Sequence, residues 1–363
     1  MAGAKICIVG AGAIGGYLAV RLACAGNEVS VIARGAHLAA IRSGGLTLIG
    51  AEGGRETAAG LLATDSAAQL DKQDIVIIAV KAHQLAPIIG ELPRLFHAGT
   101  LVVPMQNGIP WWYFQRHGGE WENCVVSTVD PEGRIAGALN PQRIIGCVVY
   151  PATAVLKPGV IRHIEGHRFP VGELDGSETE RVMQLSRTFT GAGLKSPVLA
   201  DIRGEIWLKL WGNLSFNPIS ALTHATLADI CRYPLGRELA ASMMSEAQAI
   251  AARLGITFRV PLEKRISGAE KVGHHKTSML QDIEAGRATE IDAMLGSVIE
   301  LGKITGVPTP HLEAVYACVK LLSHATVERN ACVRALDLHH PGFAATPALA
   351  PEPGLAPACG AAA

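Results

Sequence analysis

Lys209, Asn213 and Asn217 recur at i, i+4 and i+8 within DIRGEIWLKLWGNLSFNP, residues 201–218. At helical period they form one polar stripe, flanked by Trp207, Leu208, Leu210, Trp211, Leu214 and Phe216. A helix so apolar elsewhere buries most of its surface, so each stripe residue needs a polar partner. Two readings stand at this point. Lys209 reaches water and the asparagines are satisfied structurally, or the stripe faces a cleft where ammonium and carboxamides hold a carbonyl or oxyanion. Pro218 is expected to bend or end the helix and so aim Asn217. Further on, Ser278 with Gln281 reads first as a helix capping box, and Glu290 as a first-turn carboxylate.

A second constellation lies near the start of the chain. Gly10-Ala11-Gly12-Ala13-Ile14-Gly15 follows the apolar run KICIVG and opens a helical stretch, residues 14–26. Gly10 suits a tight turn, Gly12 a close approach of backbone to pyrophosphate, and Gly15 close helix–strand packing. A helix beginning at Ala13 and Ile14 turns unpaired N–H groups toward phosphate. The strand EVSVIA, residues 28–33, ends at Arg34 where an NAD-binding unit usually carries an acid. Arg34 is thus read as a partner for a 2′-phosphate, and NADPH as the expected cofactor. Lys81 follows the strand DIVIIAV, and Asn107 stands in Gln106-Asn107-Gly108 after TLVVP. Both strand ends are predicted to meet the same crevice; His83 reads equally as a surface or capping residue.

Strand, glycine turn, helix and strand within 35 residues predict an α/β N-terminal Rossmann-type domain, assigned to residues 1–199. Further strands are expected at 74–80, 100–104, 124–129 and 144–150, a hairpin or irregular insertion at 43–64, and antiparallel edge strands over 155–176. From about Leu199 the pattern becomes helical, which predicts an all-helical C-terminal domain over 200–336 for substrate and dimerisation. Residues 337–363, rich in Ala, Pro and Gly, are expected to be a disordered tail.

Composition excludes several classes. The 32 Lys plus Arg balance the 32 Asp plus Glu, and no basic run or aromatic–basic interleaving points to nucleic acid. No apolar run reaches the ~18 residues of a membrane span, and a cytoplasmic location is expected. The eight cysteines form no CxxC pair, so most are read as small buried thiols and no metal is expected.

Taken together, GAGAIG at 10–15, AVKAHQ at 79–84, QNG at 106–108, IWLKLWGN at 206–213 with Asn217, and TSMLQDIEAGRATEID at 277–292 resemble the ketopantoate reductase family. The resemblance covers nearly the whole chain to about residue 336, and the last pieces are far more specific than the first. It implies NADPH-dependent reduction of a 2-keto acid to a 2-hydroxy acid, most directly 2-dehydropantoate to pantoate. It implies Lys209 as general acid and Glu290 as a second catalytic residue, a carboxylate that helps bind and orient the substrate's hydroxyl end and also touches the cofactor. Asn107, Asn213 and Asn217 are implied substrate contacts, Ser278 an implied contact of the substrate carboxylate, and Lys81 and Asn107 residues that touch the cofactor. A homodimer is expected from apolar faces on the helical half.

Two departures leave the substrate open. His275 stands three residues before Ser278, where the family tends to carry asparagine, and Trp111-Trp112-Tyr113-Phe114 is an aromatic block read as a lid or subunit contact. Alternatives are a reductase of the same fold acting on another 2-keto acid or an imine, and a non-catalytic NADP(H)-binding sensor.

Overall fold

The computed structural model describes residues 3–335; the expected tail at 337–363 lies outside these residues. Strand β1 (Lys5–Val9) is followed by α1 (Ala13–Cys24), β2 (Glu28–Ile32) and α2 (Gly35–Gly44). Then come β3 (Leu46–Ile49), β4 (Arg55–Ala58), β5 (Leu62–Thr64), β6 (Gln73–Ile78) and β7 (Phe96–Pro104). Five of these build one parallel sheet in the order β5-β2-β1-β6-β7. Alternate residues of β1 serve opposite faces: Ile6 and Ile8 pack with Leu18 and Phe189, while Cys7 and Val9 join the core shared with the helical half. Both faces are covered, which is why the strands read as continuous apolar runs.

Register sets the working edge. Val9 pairs with both Ile32 and Ile78, and Ile78 pairs with Pro104. The residues just after four strands, Gly10, Arg34, Lys81 and Asn107, therefore emerge at one end of the sheet. Chain order reverses beside β1, the switch point where ligands enter open α/β sheets.

The insertion is a hairpin with a partner. β3 and β4 pair with each other, and β10 (Val160–Glu165) lies parallel to β3 and antiparallel to β9 (Ala152–Lys157). This four-stranded sheet covers α1, where a Cβ on Gly16 would meet Ile161 at 2.7 Å. Between β7 and β9 lie a short helix, α3 (Arg134–Ala138), with a three-residue 3₁₀ turn on each side of it (Pro131–Gly133 and Pro141–Arg143), and β8 (Gly146–Cys147), which pairs with β11 (Val171–Gly172). The expected strand at 124–129 is absent. A carboxylate takes two of its N–H groups instead: Glu300 accepts from Ser127 and Thr128 at 2.7 and 2.8 Å, and just beyond it Asp130 accepts from Ile135 and Ala136. At 144–150 regular strand is confined to Gly146–Cys147.

After α4 (Glu180–Gly191) the described residues are mostly helical. They comprise α5 (Ile202–Thr223), α6 (Leu227–Arg232), α7 (Pro234–Arg253), α8 (Leu262–Val272), α9 (Ser278–Glu284), a π-turn (Asp292–Gly296), α10 (Ser297–Thr305) and α11 (Pro310–Glu328). Pro218 does not end α5, which runs five residues further to Thr223. Dense packing of Leu214, Phe216, Ile219 and Ala221 around it holds the helix despite the missing N–H. Trp111–Phe114 is no lid: all four side chains are at most 4% exposed, and Trp207 Nε1 donates to Tyr113 Oη at 2.8 Å. Cys7, Cys147 and Cys231 are buried, but Cys24, Cys318 and Cys332 are exposed and Cys124 is intermediate, so among the described residues buried thiols are the minority. No described helix is long and apolar enough to cross a membrane.

Candidate active site at the carboxyl edge of the sheet

The glycine turn has the geometry its sequence suggests. Gly10 adopts φ +98°, and a Cβ there would lie 2.7 Å from Val80. A Cβ on Gly15 would fall 1.9 Å from the Gly10 carbonyl, so only glycine lets α1 pack this close. A Cβ on Gly12 would meet no protein atom within 4 Å; it would project into the open cradle at the start of α1. The first turn of α1 holds no acidic residue, so Ala13 and Ile14 present their N–H groups to that space without competition. The cradle fits a dinucleotide pyrophosphate.

Arg34 is exposed in extended backbone directly before α2. No carboxylate stands at the end of β2, and the Arg34 side chain makes no hydrogen bond among the described residues. One turn on, His37 ties the cradle down, which the sequence did not signal. Its Nδ1 accepts from Gly159 N at 3.1 Å, so Nε2 carries the proton and donates to the Ala11 carbonyl at 2.6 Å.

At the other end of the crevice the stripe meets the strand ends. Lys209 Nζ donates to Asn107 Oδ1 at 2.6 Å, and Asn107 Nδ2 donates to Glu290 Oε2 at 2.9 Å. Glu290 Oε1 accepts from Ala82 N at 3.2 Å. One chain thus links α5, the loop after β7, the approach to the π-turn and the turn after β6. Desolvation pulls the Lys209 ammonium down to about 8, opposed by the negative charge of Glu290. Asn213 follows Lys209 along the cleft, opposite Gln106, Trp112 and Val148.

The loop bearing Asn107 is clamped. Gln106 Nε2 donates to the Ile78 and Val80 carbonyls at 3.0 Å each. Gly108 takes φ +85°, and a Cβ there would lie 1.9 Å from the Ala293 carbonyl, to which Ile109 N donates at 2.9 Å. The loop therefore sits directly on the π-turn that follows Glu290.

Other expected residues lie elsewhere in the arrangement. Lys81 Nζ is held by Asp282 Oδ2 and the Ala288 carbonyl, each at 2.7 Å, so it ties the sheet edge to α9. Asn217 Nδ2 donates to Ser278 Oγ at 3.5 Å, farther along the stripe. The capping-box reading of Ser278 is corrected: Thr277 is the cap, accepting from Leu280 N, and Gln281 turns to the Lys276 carbonyl. That leaves the Ser278 hydroxyl to Asn217. Burial and Lys81 lower the pKa of His83. His275 contributes main-chain bonds to Gly273 and Leu227. Among the described residues no group of three His, Cys, Asp or Glu could hold a metal.

Comparison with known proteins identifies the family. Residues 6–176 match the family model of ketopantoate reductase PanE/ApbA, and residues 201–323 match that of its C-terminal region. A 2-dehydropantoate 2-reductase of Mesorhizobium japonicum is 53% identical over 90% of this chain and 99% of its own. Another, of Pyrococcus horikoshii, is 30% identical over 87% of this chain and 96% of its own. The crystal structure of 2-dehydropantoate 2-reductase from Methylococcus capsulatus aligns with TM-score 0.74 at 30% identity, covering 88% of this chain and 97% of that one. On the matched families, the relatives and the shared fold, the chain belongs to the ketopantoate reductase family.

Proposed function

We propose that this protein reduces 2-dehydropantoate to pantoate with NADPH, Lys209 acting as general acid. The observation that carries the reading is the Lys209–Asn107–Glu290 chain at the sheet's carboxyl edge, one crevice away from the Gly12 cradle. Ala13, Ile14 and the backbone around Gly12 would hold the pyrophosphate, and Arg34 the 2′-phosphate. The reduced nicotinamide, when bound, supplies the hydride.

This chain's residues supply the rest. Asn107 holds the ammonium in place while its own amide is fixed by Glu290, so the donor is oriented before substrate arrives. As the ketone becomes an alkoxide, the Lys209 ammonium stabilises the growing charge and transfers its proton to that oxygen. Asn213, Asn217 and Ser278 extend the same wall and are assigned to the substrate's remaining polar groups. Lys81 and Glu290 are assigned to the place where cofactor and substrate would meet. A homodimer and a cytoplasmic location belong to the same proposal.

The test is NADPH oxidation across a panel of 2-keto acids and imines. Lys209→Ala is expected to cut turnover about 10²–10⁴-fold while NADPH affinity is kept. Turnover of 2-dehydropantoate no better than that of pyruvate would move the assignment to another 2-keto acid. Tight NADPH binding with no turnover on the panel would favour the sensor. Arg34→Gln is expected to weaken NADPH about 10–100-fold and NADH little; equal weakening would remove Arg34 from the 2′-phosphate site.

A further inference from the structure

Arg265 on α8 is a cation that nothing above uses. Its guanidinium lies against α5: a Cβ added at Gly212 would fall 2.4 Å from a terminal nitrogen and 3.0 Å from the central carbon. Gly212 is therefore the residue that lets an arginine seat here. The Arg265 Nε is buried with no hydrogen-bond partner. No carboxylate among the described residues makes an ion pair with it, and the side chain donates no hydrogen bond to any of them. Other half-buried arginines are satisfied: Arg203 donates to three carbonyls, and Arg168 pairs with Glu205. Burial pulls the Arg265 guanidinium down from its ordinary range, with Tyr150 opposing.

Its position gives the missing partner a chemistry. Gly212 flanks the Lys209–Asn213 stripe on α5, three residues after Lys209, and residues three apart on a helix are about 5–6 Å apart at Cβ. Tyr150 follows Val148 and Val149, which line the cleft together with Lys209 and Asn213. A half-buried cation without an acceptor is unfavourable until an anion arrives. A guanidinium fork matches a carboxylate through two parallel N–H···O bonds.

We infer that Arg265 receives the carboxylate of the substrate, and that this contact selects anionic 2-keto acids over their neutral derivatives. The inference rests on the 2-keto acid reading of the cleft. Arg265 binds and selects; the proton still comes from Lys209.

Steady-state kinetics of the NADPH-loaded enzyme test this with 2-dehydropantoate and its neutral methyl ester. In Arg265→Met the KM for the acid is expected to rise about 10–100-fold, while kcat and the KM for the ester move less than about threefold. NADPH affinity, read by cofactor fluorescence, is expected to stay unchanged, and Arg265→Lys to recover part of the acid preference. Acid and ester KM rising together, or neither moving, would overturn the inference. If Arg265→Met fails to bind NADPH, Arg265→Lys decides: a lower acid-over-ester preference than wild type supports it, an unchanged one overturns it. If the wild-type enzyme reduces no 2-keto acid, the reading of function fails on its own. Calorimetric binding of oxamate and neutral oxamide to wild type and variant then still decides Arg265. Selective loss of oxamate binding supports the carboxylate site, and unchanged oxamate binding overturns it.

Discussion

A lysine buried in a cleft gains reactivity from the same desolvation that makes it costly. Lys209 at about 8 is mostly protonated at neutral pH, yet gives its proton far more readily than an exposed lysine. With Lys209 as the proposed acid, reduction needs the ammonium, so kcat/KM for reduction is expected to hold below about pH 8 and to fall about tenfold per pH unit above it. Glu290 opposes the desolvation, because an anion nearby favours the charged amine. Glu290→Gln removes that charge, so the alkaline limb should move to lower pH. A limb that stayed in place or moved up would show that another group titrates. The same carboxylate also fixes Asn107, so the variant is expected to lower the plateau as well as shift it.

Elements decide whether those residues meet. Asn107 is positioned by a loop that only glycine at 108 allows, pressed against the Ala293 carbonyl at positive φ. Gly108→Ala is expected to cost about 1–3 kcal/mol for the backbone conformation alone, with further loss from the backbone clash. Gly53→Ala is the control: φ is +87° in the β3–β4 turn, but the added Cβ meets open space. Urea unfolding and turnover of both variants separate strain from displacement. Gly108→Ala should lose activity out of proportion to stability, and Gly53→Ala should not. Much of this scale was legible in the chain. The glycines of the first turn and the stripe on α5 declare themselves because turn geometry and helical period are local. What stayed hidden depends on distant partners. The Ser127 and Thr128 amides go to Glu300, 173 and 172 residues away, so an apolar run that looks like a strand becomes a loop. β3 finds β10 across more than 100 residues, and Lys81 finds Asp282 across 201. Thr277 and Ser278 are equally good caps on paper, and only the start of α9 separates them.

For the whole molecule, the change of pattern near Leu199 marks a change of secondary structure within a continuous core. Cys7, Val76 and Val102 of the sheet share one apolar cluster with Trp112, Trp207, Met243, Val298 and Val319. Trp112 and Tyr113, although they precede Leu199, are buried in that cluster, with Tyr113 bonded to Trp207 of α5. Arg203 at the start of α5 reinforces the join through the Tyr113, Leu174 and Gln115 carbonyls. Separating the halves would expose those rings and leave the guanidinium without acceptors, so neither half has an intermediate in which it alone is satisfied. Thermal unfolding is therefore expected to be one calorimetric transition. NADPH touches the N-terminal half first, but it should raise the midpoint of the entire transition, by about 2.7 kcal/mol of stability at a hundredfold excess over Kd. Two transitions, with only the earlier one moved by NADPH, would show that the halves fold as independent bodies and that the shared cluster does not couple them. A single shifted transition would mean that the two halves unfold as one cooperative unit around the shared core, which holds α5 and the strand ends together.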